Sequence, residues 1–207
     1  MAVVDVKIEL KDVEVLEKLK RATAQNYEAL IGIIDNPEIA KYAAYNEFGW
    51  VQTVTPKQSA YLSGLLGYNT KVNGFGEAPV KPGSTLLNPP RPFLRATAKE
   101  KQSEWTNTLA KLIKGKTGVL NVAQAVEMMA RQAQVDVQTT IKNNGTEKEK
   151  FPDRSPLTLK LYDAKDRTTA KGRKRKIESD SGSGRKQALF KTGKMLGAIG
   201  YEVKVKS

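Results

Sequence analysis

Alternation of apolar and polar residues predicts a strand near each end of the chain. Val4, Val6, Ile8 and Leu10 alternate with charged residues, which is the period of a half-buried strand. The short apolar run 27–34 ends in β-branched residues and predicts a buried strand. Apolar residues alternate again from 199 to 205 and predict the last strand.

Helical spacing predicts four helices, over about 12–25, 38–48, 91–114 and 121–142, with Asp12 and Asn121 as caps. In the second of these, Ile39, Tyr42, Ala43 and Asn46 are expected to face inward. Each long helix carries an apolar stripe, formed by Leu94, Ala98, Trp105, Leu109 and Leu112 in one, and by Val122, Val126, Met129, Ala133, Val137 and Ile141 in the other. A short glycine-containing turn joins them, so they should pack as an antiparallel pair.

The elements together predict one α+β domain over 1–207, with a small antiparallel or mixed sheet of three or four strands packed against the long helix pair. Residues 50–90 are rich in glycine and proline and sustain no period, which predicts an extended loop or hairpin insertion, with strands at 53–55 and 61–62. A short helix is expected to start at 156.

Residues 163–187 are polar and basic and predict a flexible arm. Its cations could contact phosphates, or the arm could be only a solvated loop. No aromatic residue interleaves with these charges, so base stacking is not expected there. The candidate nucleic-acid-binding residues are Arg167, Lys171, Arg173, Lys174, Arg175 and Lys176.

The formal net charge of +13 is unevenly spread, because residues 1–50 contain six basic and nine acidic side chains. Residues 1–50 therefore carry a net charge of −3, and the rest of the chain carries +16. A basic surface of this size implies contact with nucleic acid or an acidic protein, although a solvated face has the same composition.

Cysteine and histidine are both absent. Their absence excludes disulfides, thiol nucleophiles, Ser-His-Asp triads and histidine-rich metal sites. We expect no enzymatic activity, no cofactor and no metal. No apolar run is long enough for a membrane span and no signal pattern begins the chain, so neither a membrane protein nor a secreted precursor is expected.

One short match favours a different chemistry. Pro152-Asp153 together with Glu202 and Lys204 resembles the signature of a metal-dependent nuclease superfamily, in which two carboxylates and a lysine hold magnesium and orient water. Such short matches are common by chance, and the glutamate also fits the polar face of a strand.

Three further segments occur in a fixed order along the chain. The first is Ala43–Gly49, which contains Asn46, Glu47, Phe48 and Gly49. The second is Pro89–Arg95, which contains Arg91, Pro92, Phe93, Leu94 and Arg95. The third is Lys191–Val203, which contains Thr192, Gly193, Met195 and Leu196, with Thr192 expected to cap a single helical turn.

Together the three segments resemble the head–tail joining and tail-completion proteins of tailed bacteriophages, similar to lambda-like minor tail and Mu-like virion-morphogenesis proteins. The resemblance covers about residues 26–205, with Lys191 standing where the family usually has Asp and Gly197-Ala198 where it has a polar pair.

The resemblance implies a structural protein of the virion neck, assembled in the bacterial cytoplasm. It implies a homo-oligomeric ring, with a hexamer favoured over a dodecamer. Its partners would be adjacent neck proteins, namely the head-closure or portal-side ring and the tail terminator or tail tube. Genomic DNA would pass through the lumen with non-specific contacts. Arg91 and Arg95 are expected to pair with carboxylates such as Glu47. The alternatives are a basic DNA-binding or nuclease-like module and a basic adaptor with no viral role.

Overall fold

The structure is a computed structural model that describes residues 26–114, 122–161, 189 and 193–206. The predicted strand 4–10, the predicted helix 12–25 and the caps Asp12 and Asn121 lie outside these residues. So does the basic arm, with its six candidate nucleic-acid-binding residues, and so does Thr192.

The described residues form an α+β fold with seven helices and four strands. In chain order these are β1 (Asn26–Gly32), α1 (Pro37–Phe48), β2 (Trp50–Thr53), α2 (Pro56–Leu65), α3 (Thr70–Asn73), β3 (Thr85–Asn88), α4 (Phe93–Lys114), α5 (Val122–Lys142), α6 (156–161), α7 (Lys194–Gly197) and β4 (Gly200–Lys206).

The four strands make two separate antiparallel sheets of two strands each. In the first, β1 pairs with β4 from Asn26 opposite Lys206 to Gly32 opposite Gly200. In the second, β2 pairs with β3 from Trp50 opposite Asn88 to Thr53 opposite Thr85. The prediction of one sheet with three or four strands is not confirmed, because β2 and β3 pair with each other at the base of the insertion instead of joining β1 and β4.

The two long helices pack against each other in antiparallel orientation, as predicted. Near the start of α4, the Thr97 and Thr140 hydroxyls lie 2.7 Å apart. Two helical turns further along α4, the Trp105 indole donates to the Asp136 carboxylate over 2.7 Å. Both predicted stripes face the core, where Trp105, Met129, Val137 and Ile141 are at most 2% exposed. Helix α5 ends at Lys142, as predicted, and Asn144 just beyond it takes a positive φ of 49°.

The β1–β4 sheet lies against α5. Amide side chains of the helix donate to backbone carbonyls just before β4, from Gln134 to Ile199 over 2.6 Å and from Gln138 to Leu196 of α7 over 3.4 Å. Ile31 and Tyr201, which are register partners, belong to the side of the sheet that meets the core. The resulting body contains β1, α4, α5 and β4.

Residues 54–84 fold as a small unit of their own, called the insertion below. Its buried apolar residues are Val54, Ala78 and Val80, which lie outside the main core cluster. The prediction of a strand at 61–62 is wrong, because these residues lie in α2. A capping box between Thr55 and Gln58, with Pro56 at the first helical position, starts that helix.

One helical face was also predicted wrongly. Tyr42 of α1 was expected to face inward but is 65% exposed, and the buried residues of this helix are Ala43 and Glu47. The reason is that the inner end of the helix holds Glu47, where an apolar side chain was expected. This buried carboxylate is stabilised by a charged partner and by amide partners.

Candidate functional site at the junction of α1 and α4

Glu47, at the end of α1, is buried against the first turn of α4. Its side chain is 2% exposed, and its Oε2 accepts a hydrogen bond from the Leu94 amide at 3.0 Å. Its Oε1 accepts from the Arg95 amide at 3.0 Å. The first amides of a helix have no partner within the helix, and the helix dipole favours a negative charge there. Glu47 therefore caps a helix that begins 46 positions later in the chain.

Arg95 supplies the countercharge to this buried carboxylate. Its Nε lies 2.9 Å from Glu47 Oε1, and its Nη2 donates to the Glu47 carbonyl over 2.8 Å. The guanidinium also stacks over the Phe48 ring, 4.7 Å from the ring centroid. The predicted pairing of Arg95 with Glu47 is therefore present in the structure.

Arg91 does not pair with Glu47, so that part of the prediction is wrong. Its guanidinium is buried and donates to oxygens that carry no formal charge, from Nε to the Pro152 carbonyl over 2.7 Å and from Nη2 to the Asp153 carbonyl over 3.1 Å. Nη1 donates to the Asn88 side-chain oxygen over 2.8 Å. Arg91 thus ties the segment before α4 to the segment after α5.

Burial and the neighbouring charges act on the Arg91 guanidinium. Burial lowers its pKa and the nearby Arg154 cation lowers it further, whereas Asp153 opposes the change. The ordinary arginine pKa is far enough above neutrality that the group keeps its charge. The neutral oxygens around Arg91 therefore solvate a buried cation, which costs free energy unless its donors are satisfied.

Gly49 lets the two motif segments approach closely. Its φ is 70°, and a Cβ built on it would lie 2.7 Å from the Asn88 carbonyl oxygen and 2.9 Å from the Pro90 nitrogen. This positive φ favours glycine, although ψ of 176° lies outside the left-handed helical region. The Asn88 side chain then donates to the Tyr45 carbonyl over 2.9 Å, and the Arg91 amide donates to the Asn46 carbonyl over 2.6 Å.

The apolar residues of the second motif anchor α4 in the core. Pro92 precedes the helix, whose first residue is Phe93 and not Arg91 as predicted, and the Pro92 carbonyl accepts from the Ala96 amide over 2.7 Å. Phe93 is fully buried and Leu94 is 7% exposed. These contacts fix the helix end that Glu47 caps.

The third motif lies beside the same helices. Gly193 occupies the N-cap of α7 with φ of 67° and no side-chain cap bond, and the predicted cap residue Thr192 lies outside the described residues. Met195 and Leu196 are partly buried against the core, and α7 contacts both α1 and α5. We use the term junction for the meeting of Tyr45–Gly49, Asn88–Arg95 and Pro152–Asp153.

The residues of the nuclease signature have other partners. Lys204 Nζ lies 2.9 Å from Glu202 Oε2 on β4, whereas the Asp153 carboxylate accepts from the Asn144 amide over 3.3 Å. Within the described part of the chain, no group of three or more acidic side chains could hold a metal ion. The signature residues therefore lie in two separate polar pairings.

Sequence reasoning missed three contributors to the junction, namely Asn88, Pro152 and Asp153. The last two act through backbone carbonyls, for which residue identity carries no signal. Asn88 precedes two prolines that cannot donate a backbone hydrogen bond, and a polar side chain at such a point is the signal that could have indicated it.

Comparison of the chain with known protein families, curated proteins and solved structures detected no significant match. None of the helices in the described ranges combines the length and apolar character needed to cross a bilayer.

Proposed function

We propose that this chain is a structural protein of the bacteriophage neck, a connector or tail-completion protein. It forms a homo-oligomeric ring, a hexamer in preference to a dodecamer, between the DNA-filled capsid and the tail. It contacts adjacent neck proteins, resides in the virion and lets the genome pass during ejection. It performs no catalysis in this role.

The observation that carries the proposal is the burial of Glu47 on the α4 amides. The motif segments that resemble the phage proteins are distant in sequence, yet Glu47 and Arg95 bring the first and second together. The third packs nearby, since α7 contacts α1. The resemblance is based on all three segments. Segments that pack together as one structural unit support it more strongly than three matches at unconnected places would.

The charge balance supports the expected contact with DNA. A chain with net charge +13 that surrounds a duplex lowers the repulsion between phosphates without reading sequence. Such binding should weaken steeply as the salt concentration rises.

The first experiment tests assembly of the purified chain. Negative-stain images should show rings with a central hole, and light scattering should give a mass that is a multiple of the 22.8 kDa chain. A chain that stays monomeric at every accessible concentration would contradict the proposal.

The second experiment tests the role in a phage whose own copy of the gene carries Arg91→Ala. Heads and tails should accumulate without joining, because loss of the guanidinium releases the segment before α4. The matched control is Ser103→Ala, an exposed change on α4 that should leave phage yield unchanged. Normal yield from the Arg91 variant would rule the proposed role of this residue out.

The basic charge also favours a second candidate, a DNA-binding or nuclease-like module. The nuclease-like form of this candidate requires magnesium-dependent nicking of plasmid DNA, and this nicking should disappear in Glu202→Ala. The ion pair of Glu202 with Lys204 argues against this candidate, because it engages two of the three signature residues with each other. Salt-sensitive DNA binding without nicking would leave only the binding module.

A further inference from the structure

Two asparagines of this chain are followed by glycine, at Asn73-Gly74 and at Asn144-Gly145. In such a pair the backbone nitrogen of the glycine can attack the side-chain carbonyl carbon of the asparagine, because glycine has no side chain that hinders the approach. The sequence therefore contains two places where an uncatalysed change of covalent structure is chemically possible. The surroundings of each pair decide whether the change occurs in the folded chain.

The fold protects Asn144. Its side chain is buried, and its amide nitrogen donates to the Phe151 carbonyl over 3.0 Å and to the Asp153 carboxylate over 3.3 Å. The Gly145 nitrogen, which would be the nucleophile, donates to the Thr140 carbonyl over 3.0 Å. Rotation of the Asn144 side chain toward Gly145 would break these hydrogen bonds in a buried site, which costs free energy.

Asn73 has the opposite surroundings, at the end of the four-residue helix α3 in the insertion. Its side chain is exposed and has no hydrogen-bond partner among the residues that the structure describes. Gly74 is exposed with φ of 69°, and no described atom beyond its chain neighbours lies within 4 Å of a Cβ built on it. A helix of a single turn gains little from cooperativity, so α3 opens at low cost in free energy.

We propose that Asn73 is a site of spontaneous deamidation in the folded chain. The Gly74 nitrogen gives its proton to solvent and forms a bond to the Asn73 side-chain carbonyl carbon. The bond from that carbon to the side-chain nitrogen breaks, the nitrogen takes up a proton from solvent, and ammonia leaves. The product is a five-membered succinimide ring. Water then adds to one of the two ring carbonyls and opens the ring, which leaves either aspartate or isoaspartate.

Either product changes the charge of the insertion. Residues 54–84 contain three lysines and one glutamate, so the new carboxylate removes one unit of their net positive charge. The exposed apolar residues Val72 and Phe75 flank the site. Isoaspartate also lengthens the backbone by one carbon at this point. The reaction does not depend on ring assembly, so the inference goes beyond the proposed function.

Peptide mapping by mass spectrometry, after incubation of the full chain at mildly alkaline pH, measures conversion at both asparagines in one sample. Asn73 should convert at least about tenfold faster than Asn144, because the reaction at Asn144 requires a costlier local opening. In urea the two rates should become similar, since both pairs have the same chemistry once the fold is lost. Chromatographic separation of the aspartate and isoaspartate peptides, which have equal mass, identifies the products.

Two variants test the mechanism at Asn73. Asn73→Gln is the matched control, because the longer side chain would have to close a six-membered ring, and conversion at this position should be lost. Asn69→Ala removes the side-chain oxygen that caps α3 and accepts from the Lys71 amide over 3.1 Å. Loss of a cap makes α3 open more often, so conversion at Asn73 should quicken by about fivefold.

The outcomes are separate from those of the ring proposal. Equal rates at Asn73 and Asn144 in the folded chain would overturn the inference, and so would an inert Asn73 in a chain that converts at both positions in urea. An unchanged rate in Asn69→Ala would contradict the opening of α3 as the step that permits attack. The mass of the freshly purified chain by light scattering tests the ring independently of all three results.

Discussion

Glu47 and Ser59 are both polar and almost fully buried, at 1% and 0% exposure, yet they stabilise very different regions. Glu47 binds amides and a guanidinium 47 and 48 positions away, so it holds together distant parts of the chain. Ser59 donates to the Val80 carbonyl 21 positions away, inside the insertion. Burial alone therefore does not show how much of the fold a polar side chain stabilises. A polar group's effect depends on its charge and on how much of the fold its partners belong to.

The largest expected effect is from Glu47→Ala. The change leaves two amides of α4 without an acceptor in a buried site, so the free energy of unfolding should fall by about 3 kcal/mol. Urea unfolding followed by circular dichroism at fixed chain concentration measures it. Glu47→Gln keeps an acceptor without the charge, so its free energy of unfolding should lie between those of the unmodified chain and the Glu47→Ala variant. A loss below about 0.5 kcal/mol, the scale of an ordinary surface change, would contradict this account of the junction.

The next effect is from Arg91→Met, which keeps much of the apolar stem but removes all the donors. The carbonyls of Pro152 and Asp153 lose their partner, and we expect a loss of about 2 kcal/mol. Arg91→Lys restores the charge but not the planar set of donors, so it should recover only part of that loss. Full recovery by lysine would show that charge, and not the directed hydrogen bonds, is what matters at this position.

Alanine substitutions at two glycines, one in the junction and one in the insertion, compare the stability of the two regions directly. Gly49→Ala forces a side chain into a positive φ against backbone atoms, and should destabilise by about 2 kcal/mol. Gly64→Ala, within α2, meets open space and should be neutral or stabilise by up to about 1 kcal/mol. Thermal unfolding of both variants checks the pair. Equal effects at the two positions would remove the distinction between the regions.

The smallest destabilisation is expected from Ser59→Ala. It removes one buried hydrogen bond, for about 1 kcal/mol, but Ser63 remains near the same Val80 carbonyl. Hydrogen exchange should quicken within 54–84 and stay unchanged in α4 and α5, because the insertion has its own small core. The exposed Ser103→Ala on α4 is the matched control. Faster exchange throughout the body would show that the insertion is not an independent opening unit.

The body was largely predictable from the sequence. Apolar stripes of about 20 residues outweigh local preferences, and Asn143-Asn144-Gly145 is a strong stop signal, so both long helices were expected where they occur. Strands β1 and β4 followed from a β-branched run and from alternation. Their pairing did not, because local patterns carry no information on which strands meet across the chain.

The insertion and the junction were less predictable. The capping box at Thr55 and Gln58 was a readable helix signal, but the glycines and prolines around it favoured the interpretation as an extended loop. At the junction, the pairing of Glu47 with Arg95 was suggested by the resemblance and not by any periodicity. The partners of Arg91 are mostly backbone carbonyls, which no residue pattern identifies.

The pairing of Glu47 with Arg95 joins two distant points of the chain. This contact affects how far the length of the segment between them can vary. Since the insertion, 54–84, begins and ends beside the paired residues Thr53 and Thr85 of β2 and β3, it is a closed side loop whose length does not set the position of α4. The entropy of closing a loop grows only with the logarithm of its length, by about 0.6 kcal/mol per doubling. The insertion can therefore be shortened, extended or exchanged at little thermodynamic cost, while the helix pair beneath it keeps its geometry.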